Sequence, residues 1–70
     1  MIQWQPVTST NISEAGYDLE RQLMAIRFKK GGVYQATNVP ADEFTNLMQS
    51  GSPGGYFHRV LKGAYNWVKV

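Results

Sequence analysis

From Leu23 the large apolar residues Met24, Ile26 and Phe28 recur at period two, the chain breaks at Lys29-Lys30-Gly31-Gly32, and it resumes over Val33–Thr37 with β-branched and aromatic residues. Period two places successive side chains on opposite faces of a strand, and a glycine pair supplies the tight reversal between two strands. The reading is an antiparallel hairpin of Leu23–Phe28 with Val33–Thr37. Met24, Ile26 and Phe28 share one face; Leu23, Ala25 and Arg27 share the other. An isolated hairpin is marginal in water, so the Met24 face needs a second layer.

The sequence after the hairpin supplies that layer. Val39-Pro40 stops the strand because proline has no N–H to donate, and Asp42 and Glu43 favour the positive end of a helix beginning there. Phe44, Leu47 and Met48 then fall on one helical face, the spacing of a core stripe. Gly51 is positioned to end this helix in a left-handed conformation. Ser52 and Pro53 read as N-cap and first residue of a second helix, whose Tyr56, Phe57, Val60 and Leu61 form a face that closes over the sheet; Gly63 ends it. The expected core sets Met24, Ile26 and Phe28 against Phe44, Leu47, Phe57 and Val60.

The flanks are less regular. The first eleven residues read as an edge strand or an irregular lead-in, and Gly16-Tyr17-Asp18 as a strand running into the polar turn Leu19–Gln22. The tail from Ala64 to Val70 alternates weakly, as a last strand or an arm. The fold class is α+β: an antiparallel sheet of three strands, with the C-terminal segment a candidate fourth, covered on one face by two short helices.

Composition narrows the function. A chain of 70 residues is one domain with a small core. Without cysteine it has no disulfides and no thiolate metal site, and a single histidine makes zinc improbable. No metal or cofactor is expected. No apolar run approaches the ~20 residues of a membrane helix and the N-terminus lacks the pattern of a signal peptide, so no membrane partner and a cytoplasmic location are expected. All five acids lie before residue 44, whereas Arg59, Lys62 and Lys69 follow without one; Arg21, Arg27, Lys29 and Lys30 form a second basic group. That distribution suits a polyanion and equally suits solvated turns.

His58 has no nucleophile or carboxylate near it in sequence, and Asp18, Glu20, Asp42 and Glu43 are explained by a turn and a helix start. No catalytic residue is identified, and the chain is read as a non-enzymatic binding protein. Ser52, Gly54, Gly55 and Tyr56 at the second helix start offer backbone N–H groups to a phosphate; the glycines also fit plain close packing. Arg59 is expected to reach such an anion only from a neighbouring subunit, with Lys29 and Lys30 attracting it from the hairpin tip and Tyr17 or Tyr34 stacking on a base. The expected partner is RNA or a small phosphate-bearing nucleotide. One alternative is a symmetric oligomer that sequesters a cyclic oligonucleotide or other nucleotide signal; another is a protein-interaction module. Two tryptophans, four tyrosines and three phenylalanines are many for so small a core, so a homo-oligomer is expected, with Tyr65 and Trp67 as its contacts.

Taken in order, Thr8-Ser9-Thr10-Asn11-Ile12, Gly16-Tyr17-Asp18, Phe28-Lys29-Lys30-Gly31, Val33-Tyr34, Val39-Pro40 and Ser52-Pro53-Gly54-Gly55-Tyr56-Phe57 form a series that resembles the KTSC domain. This short module is named for the C-terminus of some lysyl-tRNA synthetases and also stands alone in bacteria and phages. The likeness covers about residues 7 to 65. It departs at Tyr34-Gln35-Ala36, where the family has a second tyrosine, and in its Pro53 and Gly55 around Gly54. The resemblance implies the α+β fold and, as an expected role, RNA binding.

Overall fold

The computed structural model describes all 70 residues. Five strands, β1 (Gln3–Pro6), β2 (Ile12–Asp18), β3 (Leu23–Phe28), β4 (Gly32–Ala36) and β5 (Val68–Lys69), form one antiparallel sheet in sequence order. Between β4 and β5 run helix α1 (Ala41–Gln49) and helix α2 (Pro53–Tyr56), the latter continued by a π-helical turn (Phe57–Leu61). The fold is α+β with both helices on one face, and the sheet has five strands where three or four were expected. The added strands are the two short edges. β1 carries Pro6, which an edge tolerates, and β5 has only two residues.

The β3–β4 hairpin forms with Phe28 opposite Gly32, and Gly32 takes the left-handed step at φ 84°. A bulge at Ser13 in β2 pairs Ile12 with Phe28 and Glu14 with Arg27. This extra residue reverses the alternation, so Ile12 joins Ala15 and Tyr17 on the helix-facing side instead of following Glu14 outward. The core consists of Ile12, Ala15, Tyr17, Met24, Ile26, Ala36, Val39, Leu47, Phe57 and Leu61, with Phe28, Phe44 and Met48 packed at its margin.

Two expectations are corrected. Val60 is 38% exposed and outside the core. The turn beyond Phe57 closes with a bond from the Lys62 N–H to the Phe57 carbonyl, a π-type i→i+5 step that widens the helix and leaves Leu61, not Val60, facing inward. Nor does Gly51 make a left-handed stop: Ser50 ends α1 in extended conformation, its N–H bonded to the Leu47 carbonyl, and Gly32 is the one glycine at positive φ.

The opposite face of the sheet has no helical cover. Trp4 lies across Gly16, where a side chain would meet Ile2 at 2.5 Å and the indole at 3.1 Å. The same indole receives the Arg27 guanidinium at 5.1 Å, and Arg27 is ion-paired to Glu14 at 2.8 Å. The missing side chain lets one tryptophan shelter this part of the sheet, where Ala25 is fully buried.

Candidate functional site

The bulge in β2 brings the preceding loop beside the hairpin tip, where the Lys29 N–H donates to the Asn11 carbonyl at 2.8 Å. The π turn and the segment after it approach from the helical side. Between them opens a cleft of about 810 Å³ lined by Phe28, Tyr34, Phe57, Tyr65 and Trp67, with Lys29, Lys30 and Lys62 around it. A second groove of about 650 Å³ adjoins it, walled by Thr8–Asn11 and Gly51–Gly55; Thr10, Asn11 and His58 belong to both. Neither is lined by an acidic residue.

The cleft floor is built from mutually braced rings. Phe28 meets Tyr34 edge-to-face at 5.7 Å and Phe57 at 5.3 Å, and Phe57 meets Trp67 at 5.1 Å. This is the favoured geometry of aromatic pairs, and it fixes the orientation of each ring. Trp67 is held further by its indole N–H donating to the Leu61 carbonyl at 2.9 Å. Tyr65 is anchored through its hydroxyl to Glu43 at 3.0 Å, and Tyr56 donates to the other oxygen of that carboxylate at 2.7 Å. Burial, then the Glu43 bond, raises the Tyr65 pKa; for Tyr56 the Glu43 bond comes first and burial second. Both phenols therefore stay protonated as donors.

The lysines are exposed and without ion-pair partners, whereas Arg21 pairs with Asp18 and Arg27 with Glu14. Lys69 adds a further unpaired cation on the hairpin side, its Cε 3.3 Å from where a Gly32 side chain would begin.

The expected site residues divide. Lys29, Lys30 and Tyr34 line the cleft, and Ser52, Gly54 and Gly55 line the groove. Tyr17 is buried, stacked on Phe44 at 5.6 Å and bonded through its hydroxyl to the Val39 carbonyl, so it cannot stack on a base. Tyr56 lies outside both openings, turned toward Glu43. The open row of N–H groups expected from Gly54 onward is closed at Gly55, which donates to Ser52 Oγ at 3.4 Å, and at Tyr56, which donates to the Ser52 carbonyl at 2.8 Å. Gly54 is buried, and a side chain there would meet Ser9 and Asn11 at 3.3 and 3.5 Å, so this glycine allows the loop and helix to pack.

Arg59 needs no second subunit to approach that end. Its Nη1 stands 2.7 Å from the position a Gly55 side chain would occupy, because helical side chains lean toward the N-terminus. Tyr65 and Trp67, expected as contacts between copies, both hydrogen-bond within the chain. Sequence reading missed Tyr65, Phe28, Asn11 and Thr10 as cleft residues. The acid-free stretch after Glu43 was the one visible signal for Tyr65, whereas Thr10, Asn11 and Phe28 lie before it.

Comparison with known proteins agrees with this geometry. A crystal structure of a KTSC domain protein from Yersinia pestis superposes with a TM-score of 0.95 at 36% identity, covering 100% of this chain and 99% of that one. A protein of Tsukamurella paurometabola is 36% identical over 66 residues, 94% of this chain and 98% of its own length. A lysine–tRNA ligase of Trichormus variabilis is 30% identical over 59 residues, which cover 84% of this chain and 10% of the ligase. The KTSC domain family model matches residues 8–65, the span that holds the bulge, the hairpin tip and most of the cleft, and on that match the chain belongs to the KTSC domain family.

Proposed function

We propose that this protein binds phosphate-bearing nucleotide ligands, RNA foremost, in the aromatic cleft, and that it does so without catalysing a reaction. The observation that carries the reading is the cleft itself: five aromatic side chains and three unpaired lysines, with no carboxylate in the lining. Nucleobases stack on aromatic surfaces, and lysines offset backbone charge; an acid in the wall would oppose both by repelling the phosphates. Tyr34 and Trp67 offer the ring surfaces, Lys29 and Lys30 meet the phosphates from the hairpin, and Lys62 meets them from the helical side. His58 is without a carboxylate neighbour in either opening, which favours a binding role over acid–base chemistry. The relation of one stretch of a lysine–tRNA ligase to this chain is consistent with an RNA ligand.

The test is a titration of short single-stranded RNA at several salt concentrations. Three lysine–phosphate contacts give a slope of log affinity against log salt of about −2. Absence of binding at low salt overturns the reading.

A further inference from the structure

The cleft and the groove differ in chemistry yet share a wall. The cleft presents rings and lysines. Apart from Pro53, the groove presents only hydroxyls, an amide, glycines and the shared His58. Most of its side-chain donors are unengaged, Thr10 excepted. The Thr8 hydroxyl makes no hydrogen bond; the Ser9 and Ser52 hydroxyls accept backbone N–H bonds and donate none; the Thr10 hydroxyl donates to the Asn11 side-chain Oδ1 at 2.9 Å, leaving the Asn11 Nδ2 free to donate. Arg59 brings a cation to the Gly55 side.

A base needs a flat apolar surface, and a phosphodiester needs donors and cations. A nucleic-acid strand presents these alternately, and the two openings present their complements side by side. We infer that the ligand is a linked strand of at least two nucleotides, one base seated in the aromatic cleft and the adjoining phosphodiester running past His58 into the Thr8–Asn11 groove. This rests on the nucleotide-binding reading of the cleft. A mononucleotide satisfies the cleft alone, its phosphate already within the field of Lys29, Lys30 and Lys62, and leaves the groove empty.

The experiment compares adenosine 5′-monophosphate with the 5′-phosphorylated adenylate dinucleotide by calorimetric titration at low salt, on the wild-type protein and on Thr8→Glu. Thr8 is exposed and its hydroxyl makes no hydrogen bond, so the variant is expected to keep the wild-type melting curve while placing a carboxylate in the groove. The dinucleotide is expected to bind about tenfold more tightly than the monophosphate. Thr8→Glu is expected to erase that advantage and leave the monophosphate unchanged. Equal affinities in the wild type, or a dinucleotide indifferent to Thr8→Glu, overturn the two-nucleotide inference while the cleft reading stands. Binding of neither overturns both. If Thr8→Glu fails to fold, Gly51→Glu, at a groove position where a side chain meets nothing within 4 Å, carries the same comparison, with loss of the dinucleotide advantage as support and its retention as refutation.

Discussion

Two turns flank β3 and handle charge in opposite ways. The turn between β2 and β3 is organised by Asp18, whose buried carboxylate accepts the N–H groups of Glu20 and Arg21 at 3.1 and 3.3 Å, meets the Met1 ammonium at 3.0 Å and lies 3.8 Å from the Arg21 Nε. The turn between β3 and β4 carries Lys29 and Lys30 with no partner at all. The Asp18 turn uses charge internally, to hold the chain. The lysine turn leaves charge unanswered beside an aromatic cleft, where an external anion can answer it.

Substitutions can break or sharpen that contrast. The largest effect is expected at Phe57, which belongs both to the core and to the cleft floor. Phe57→Ala should cost about 3–5 kcal/mol, enough to unfold a domain this small, as a thermal melt will show. A folded variant with normal stability would mean that the cleft is not continuous with the core. Next comes Asp18. The bond from the Met1 ammonium, together with the backbone N–H bonds, holds its carboxyl below the usual carboxylate range despite the opposing effect of burial. Its contribution to stability is therefore complete above pH ~4 and is lost as pH falls through the lowered folded-state value. Asp18→Asn should lower the melting temperature at neutral pH and flatten this acid dependence without altering RNA affinity. Altered affinity in the folded variant would dissolve the contrast between the turns.

A smaller effect is expected from Gly32→Ala, which forces a side chain into a left-handed position at the base of the lysine turn. It should cost about 1–2 kcal/mol by chemical denaturation. The smallest effect on stability is expected from replacing Lys29 and Lys30 together by alanine, within about 0.5 kcal/mol of wild type. The same double variant should weaken RNA binding and make the salt slope shallower by about 1.4. Unchanged binding would make these lysines ordinary solvated residues.

Much of the fold was legible because its signals are local. The β3–β4 hairpin shows in its period and its glycines, and α1 shows in Pro40, two acids and the Phe44–Leu47–Met48 spacing. β1 and β5 were legible only as one of two alternatives each, an edge strand or a lead-in and a last strand or an arm, since Gln3–Pro6 and Val68–Lys69 are short and owe their pairing to β2 and β4 rather than to their own propensities. The π turn has no sequence signature, and it displaced Val60 from the expected core. In the site, the lysines of the tip and Tyr34 were readable from the hairpin. Tyr17 and Tyr56 misled because an aromatic side chain looks the same in sequence whether its hydroxyl reaches a buried carbonyl, a carboxylate or solvent. Arg59 was placed too far away because position along the helix was counted without the lean of its side chain.

The strand order has a kinetic consequence. Every strand pairs only with its neighbours in sequence, β1 to β2 and onward to β5, so no strand waits for a partner from the far end of the chain. Closing each of the first three hairpins orders only a short loop, at small entropic cost, and can proceed before the helices dock. The β4–β5 pairing is the exception: it encloses both helices and must follow their arrival. Since Trp67 immediately precedes β5, the aromatic cleft is expected to be the last part of the molecule to assemble during folding and the first to open during native-state fluctuations.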